Sequence, residues 1–330
     1  MAVRRLSLIT RLVLACLAAP TGALGQTIVW TDANARKIQK KAVSGGPVET
    51  IVQFPSPNSA YQIHYDPVTA KLHYTFYGPP SSFQQANLDG SNPETIPTPS
   101  TGIFTLNVDS RKLYWIVGFD DVLNYSELDG SDAASHTYPH CCVLTLEAFG
   151  DQVFFGAGGL MKKGIWRADP DGSNEQFLVS CGQPTDLAYD PVDKKLYVAR
   201  LYAISRMDLD GTNFEDVVVK FDLGYPTQMV VDSWNRKLYG AYPARLVQRS
   251  NLDGSNVEDF VTASDAGNPT FEIGGLTIVS LAPLVNFARF QNCLGADPLA
   301  EQTCTALDVN GDSFVDLADY LLLHPLLVAP

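Results

Sequence analysis

The sequence predicts an all-β chain folded as a six-bladed β-propeller, and three observations carry that prediction. A tight Asp-Gly turn recurs at Leu88–Asn92, Leu128–Asp132, Pro170–Asn174, Leu209–Asn213 and Leu252–Asn256, with steps of 40, 42, 39 and 43 residues between its Asp positions. An aromatic strand recurs in phase with it: Val29-Trp30, His73-Tyr74, Tyr114-Trp115, Phe154-Phe155, Tyr197-Val198 and Tyr239-Gly240. A last strand-like run, Phe271–Val279, resembles the leading strand that the first unit lacks. A period of about 40 residues with four short strands per unit is the signature of a propeller.

Each unit reads alike. In four copies a leading strand ends at a polar turn and a Lys-Leu pair: Asp66 to Leu72, Asp109 to Leu113, Asp190 to Leu196 and Asp232 to Leu238. Asp at the first turn position, and Pro at the second where it occurs, suit a type I turn. The aromatic strand follows, then a third strand such as Ala203–Leu209, the Asp-Gly turn and a fourth strand. Gly belongs in that turn because it needs φ > 0, and Asp bonds the backbone two residues on. Stepping back from Asp89 lands on Ser44-Gly45-Gly46, a degraded copy, so the units number six. The first opens directly on Ile28-Val29-Trp30. Pairing the C-terminal strand into it is expected to close the ring and remove open sheet edges. Pro55–Pro57, Pro79-Pro80 and Ile96–Ser100 fall between strands, where Pro costs no ladder bond.

Residues 1–25 read as a secretory signal: Arg4, Arg5 and Arg11, an apolar core Leu12–Ala19, and Ala23-Leu24-Gly25 before Gln26. The apolar run is too short to span a bilayer, and no other run is long enough. Removing the signal takes three Arg and no acid, so the formal charge moves from −13 to −16. That argues against nucleic acid and anionic membrane surfaces as partners, and fits a soluble extracellular protein or one that holds calcium; a secreted or periplasmic monomer is expected. Five Cys remain. Cys293 and Cys304 are expected to pair, and Cys181 with Cys141 or Cys142, leaving one over; a soft-metal site at Cys141-Cys142 with His136 and His140 is disfavoured.

From Leu281 the composition changes. The expected domains are 26–282 for the propeller and 283–330 for a small α-helical tail. There, Asp308, Asn310, Asp312, Asp316 and Asp319 stand at positions 1, 3, 5, 9 and 12 of a calcium loop, with the Phe314 backbone oxygen at position 7. Ca2+ takes six to eight hard oxygen ligands, which this spacing wraps round one point. Ser313 replaces the usual Gly at position 6, and Asp319 the usual Glu at position 12.

Two resemblances follow from these residues. Val29-Trp30-Thr31-Asp32 with Ala35–Gln39 and the Leu-Asp-Gly-Ser-Asn turn resembles the YWTD repeat of low-density-lipoprotein receptor class B propellers over about residues 26–282. The resemblance implies six blades, in agreement with the count. The other units replace the Thr-Asp pair (Thr75-Phe76, Ile116-Val117, Gly156-Ala157, Ala199-Arg200, Ala241-Tyr242). In the family that Asp holds blades together, so these blades are expected to be held mostly by packing. The tail resembles one loop of a type I dockerin, which implies calcium binding at the named residues and, weakly for a single loop, a cohesin-like or cell-surface partner.

No His-Glu-x-x-His, Gly-x-Ser-x-Gly or phosphate loop occurs. Channel-metal propeller enzymes would use leading-strand residues, here His64, Asp186 and Gln228. The leading expectation is a non-enzymatic propeller that binds a protein or glycan, with a calcium-bound tail for docking. The alternative is a carbohydrate-active or lactone-cleaving propeller, favoured by three or four convergent carboxylates or His at the channel. The recurring Tyr and Trp of the aromatic strand are expected to be blade core.

Overall fold

The structure, a computed structural model, describes residues 26–279 apart from 118–120, 139–141, 160–161, 220–224, 234, 243–245 and 269. The signal segment, Cys141, Cys293, Cys304 and the calcium-loop residues Asp308, Asn310, Asp312, Phe314, Asp316 and Asp319 therefore lie outside the described residues.

Six four-stranded antiparallel sheets form the propeller. Blade 1 holds β1 (Thr27–Asp32), β2 (Lys37–Ala42) and β3 (Glu49–Gln53). Blade 2 is β4 (Ser59–Asp66), β5 (Lys71–Tyr77), β6 (Ser82–Asn87) and β7 (Glu94–Ile96). Blade 3 is β8 (Ile103–Asn107), β9 (Lys112–Ile116), β10 (Val122–Glu127) and β11 (Ala134–Thr137). Blade 4 is β12 (Val143–Phe149), β13 (Gln152–Ala157), β14 (Gly164–Ala168) and β15 (Gln176–Val179). Blade 5 is β16 (Pro184–Asp190), β17 (Lys195–Arg200), β18 (Ala203–Asp208) and β19 (Glu215–Val219). Blade 6 is β20 (Gln228–Asp232), β21 (Lys237–Tyr242), β22 (Leu246–Asn251) and β23 (Glu258–Thr262). The fourth strand of blade 1 is β24 (Ile273–Val279), which pairs with β1 from Thr27↔Val279 to Thr31↔Gly275. The innermost strands β24, β4, β8, β12, β16 and β20 each touch the next, and β20 touches β24.

The aromatic second strands supply the core. Trp30, Tyr74, Tyr114, Trp115, Phe154, Phe155, Tyr197 and Tyr239 are all buried. Clusters cross from blade to blade: Phe83, Phe104 and Trp115 join blades 2 and 3, Tyr114, Phe155 and Trp166 join 3 and 4, and Tyr197, Met229 and Leu238 join 5 and 6. Each such side chain contributes about 1.5–3 kcal/mol over its exposed state. Gly240 stands where blade 3 has Trp115. Tyr242 and Ile204 fill the gap, 3.2 and 3.3 Å from where a Gly240 Cβ would stand.

The Asp-Gly turns use Gly for two reasons. Gly254 has φ +81, and a Cβ there would stand 1.6 Å from the Val217 carbonyl oxygen in blade 5. Gly211 meets Leu178 of blade 4 in the same way. The turn is thus also a contact between blades.

Polar ties add to this packing at several seams between blades. Asp66, fully buried at the end of β4, accepts both Arg111 guanidinium nitrogens from blade 3, at 2.7 and 2.8 Å. Asp190 accepts Arg236 of blade 6 at 3.0 Å. Between blades 3 and 4, Asn107 Nδ2 donates to the Gly150 carbonyl at 3.0 Å, and the Gly150 amide donates to Asp109 Oδ2 at 3.1 Å. In blades 2 and 5 the Asp that ends the inner strand thus also clamps the next blade. The retained Asp32 accepts from the Ala35 amide at 3.0 Å and from Asn268 Nδ2 at 2.8 Å.

Candidate functional site: the inner ring and one face

The inner strands share no backbone ladder with one another, so side chains join them. Counted back from the last residue of each inner strand, two positions do this work. The side chain four residues back accepts an amide of the next strand: Phe104 N donates to Gln62 Oε1 at 2.6 Å, and Met229 N to Asp186 Oδ2 at 2.7 Å. The side chain two residues back accepts an amide one residue before the next strand's end. Tyr65 N donates to Thr277 Oγ1 at 3.2 Å, and Tyr189 N to the Glu147 carboxyl. His64, also two residues back, bonds the Phe104 carbonyl through Nε2 at 2.9 Å, so Nε2 carries its proton.

Among these stitches, blades 4 and 5 use acids where blades 1 and 2 use Thr and Gln. Thr105 Oγ1 reaches Glu147 Oε2 and Thr145 Oγ1 reaches Asp186 Oδ1, both at 3.4 Å. Burial, reinforced by the Asp186 charge, pushes the Glu147 carboxyl up to about 8. Burial pushes Asp186 up to about 7 against its amide hydrogen bonds. Desolvation disfavours the ionised form of each, and no cation pairs with either among the described residues.

The residues named as channel candidates separate. Asp186 belongs to this pair. His64 is spent on the Phe104 carbonyl, and its burial lowers its pKa to about 4. Gln228, half-buried, stands four residues back on β20. Glu147 escaped the sequence reading, although a lone acid inside the apolar run Val143–Phe149 marks it. Among the described residues no three His, Cys, Asp or Glu side chains are grouped to hold a metal. No disulfide joins Cys142 and Cys181, and Cys181 is a buried thiol whose pKa burial raises to about 11.

A second arrangement lies on the surface. In every blade the first strand begins, the second ends, the third begins and the fourth ends on one face. The exposed large apolar side chains among the described residues all fall there. Tyr61 is near the start of β4, Tyr77 ends β5, Leu201 and Tyr202 join β17 to β18, and Tyr225 lies between β19 and β20; they are 38–44% exposed. Tyr61 and Tyr77 meet edge to face at 4.9 Å. The opposite face carries the Asp-Gly turns. Asp89, Asp129, Asp171, Asp210 and Asp253 each accept from the Ser or Thr two residues on. Those hydrogen bonds hold all five carboxyls below their ordinary value. The Asp-Gly turns lie on one face and the exposed tyrosines on the other.

No family model matches the chain. Among solved structures, it is similar to a nidogen/laminin complex chain (TM-score 0.65, 15% identity, covering 78% of this chain and 99% of that one). It is also similar to TolB from Acinetobacter baumannii (TM-score 0.60, 13% identity, 81% and 69%). A third is a protein of unknown function from Bacteroides caccae (TM-score 0.55, 10% identity, 77% and 99%). At these identities the likeness is one of fold.

Proposed function

We propose that the chain is an exported, monomeric, non-enzymatic propeller that binds a protein or glycan ligand on its tyrosine-bearing face. The observation that carries this reading is the confinement of Tyr61, Tyr77, Leu201, Tyr202 and Tyr225 to one face. Tyr61 and Tyr77 pack together in blade 2, and Leu201, Tyr202 and Tyr225 lie on the same face around blade 5, which makes that face the candidate contact surface. Tyr offers a large rigid surface with a polar tip, which suits peptide or sugar contacts. The fold neighbour from a nidogen/laminin complex gives a precedent for protein binding. In this reading β24 closes the ring through β1 and leads to a tail in which Asp308, Asn310, Asp312, Asp316, Asp319 and the Phe314 carbonyl bind Ca2+ for anchoring or docking.

Two experiments test the parts separately. A binding panel of extracellular proteins and polysaccharides is run with the wild type, Tyr61→Ala, Tyr202→Ala and, as a control on the opposite face, Asp210→Ala. The reading expects a ligand whose affinity falls about tenfold or more in the Tyr variants, each a loss of about 1.4 kcal/mol or more, and holds in the control. Calorimetric titration with Ca2+ is expected to show one site, absent in Asp308→Ala and Asp312→Ala; no binding by the wild type would remove calcium from the tail.

A further inference from the structure

We propose that Tyr61, Tyr77 and Glu272 form a site for a basic side chain of a partner protein, an arginine above all. The proposal rests on the reading that the tyrosine-bearing face is the binding face, and it names the chemistry that one part of that face recognises. The site lies where blade 1 meets blade 2. Tyr61 stands near the start of β4, the inner strand of blade 2, and Tyr77 ends β5 beside it. Glu272 directly precedes β24, the inner strand of blade 1.

Two strand irregularities bring the three together. The β4–β5 register shifts between Ala60 and Ile63, so Tyr61 leaves the ladder, and such a bulge re-aims the side chain it frees. In β24, Ile273 pairs with Asp32 and Gly275 with Thr31, which leaves Gly274 as an extra residue. A Cβ on Gly274 would stand 2.9 Å from Tyr61 Cδ1 and 3.2 Å from Tyr61 Cα, so glycine lets blade 1 pack its backbone directly against the tyrosine. The Ala33 amide donates to the Glu272 carbonyl at 3.0 Å and carries the β1–β24 pairing one residue further. Residues two apart on a strand share a side, which puts Glu272 on the side of Gly274 that meets Tyr61. In keeping with this, burial raises the Tyr61 phenol above its ordinary value, and the charge of Glu272 and then Tyr77 add to the rise.

The chain uses the same set of groups for a cation of its own. In blade 6, Tyr239 and Phe260 meet edge to face at 5.1 Å and 76°. Arg249 lies over the Phe260 ring, its Cζ 5.2 Å from the centroid, and its Nε donates to Glu258 at 2.8 Å. Tyr61 and Tyr77 repeat the ring pair at 4.9 Å and 61°, with Glu272 as the acid. The difference is the cation. Among the described residues no Lys or Arg stands over Tyr61 or Tyr77, and none pairs with Glu272. Both rings and the acid are exposed, so a partner can supply it. A guanidinium over an aromatic face is attracted by the ring quadrupole, and a carboxylate beside it accepts its fork of N–H donors. Arg suits this better than Lys because its plane stacks and it is more weakly hydrated. The formal charge of −13 favours the approach of a basic partner. A neutral sugar would stack on the rings but leave the Glu272 charge uncompensated.

The test is titration of the protein with the capped peptide acetyl-Gly-Arg-Gly-amide, read at the ring NMR signals of Tyr61 and Tyr77. The same peptide with citrulline in place of arginine is the uncharged isostere. The arginine peptide is expected to move both rings and to bind at least about tenfold more tightly than the citrulline peptide. Glu272→Gln is expected to remove that preference, and Tyr61→Phe, which keeps the ring, to preserve it. Equal binding of the two peptides, an unchanged preference in Glu272→Gln, or no movement of either ring at about 10 mM arginine peptide overturns the site. Movement of the rings by maltotriose and not by the arginine peptide overturns it in favour of a glycan. The reading of the face as a whole is judged apart from this, by the binding panel with Tyr202→Ala on blade 5, so the two can fail independently.

Discussion

His73 occupies a position that is Tyr114, Phe154, Tyr197 or Tyr239 in other blades, and it fits poorly there. It is 2% exposed, and among the described residues neither ring nitrogen has a hydrogen-bond partner. Leaving buried polar atoms unpaired costs about 1–3 kcal/mol. His73→Phe is therefore expected to stabilise the chain by about 1–2 kcal/mol in urea unfolding, a gain the cost of lost ring donors predicts. His73 also faces His64 across β4 and β5, and burial lowers both to about 4 from an ordinary 6.5. Their contribution is complete above pH 6.5 and is lost as pH falls toward 4. Over that same window the Glu147–Asp186 pair gains as pH falls. The two effects oppose, so a wild-type melting profile flat below about pH 6.5 and falling above it is expected. In His73→Phe the acid limb should instead rise toward low pH.

At the level of strands and turns, the same chemistry separates essential from incidental acids. Arg111→Ala leaves the buried Asp66 without its bidentate partner and is expected to cost about 2–3 kcal/mol, somewhat less than a fully buried pair because Arg111 is partly exposed. Asp89→Ala, in an exposed turn, should leave the denaturation midpoint nearly unchanged. Gly254→Ala combines a positive φ with a backbone clash into blade 5 and should cost about 3 kcal/mol or more, read as a lowered denaturation midpoint. This contrast also shows what was legible beforehand. The blade count, the buried aromatic strands and the Gly positions follow from a period of local signals, and each is in the structure. The clamps and stitches join residues about 40 apart whose equivalence depends on where each inner strand ends. Gln62, Glu147, Asp186 and Thr277 therefore read as unrelated polar residues until the register is known. Tyr61, Tyr77, Tyr202 and Tyr225 do not recur at one phase, so only the topology assigns them to one face.

Across the propeller, the Asp-Gly turns and the exposed tyrosines lie on opposite faces. The five Asp-Gly turns place ionised carboxylates on one face, and the exposed tyrosines lie on the other. The most direct measurement is amide hydrogen exchange of the protein with and without the ligand identified by the binding panel. The account predicts protection at residues 77–81, at Leu201–Ala203 and at Tyr225, with the Asp-Gly turns at Asp89, Asp129, Asp171, Asp210 and Asp253 unchanged. Protection confined to those turns would contradict it.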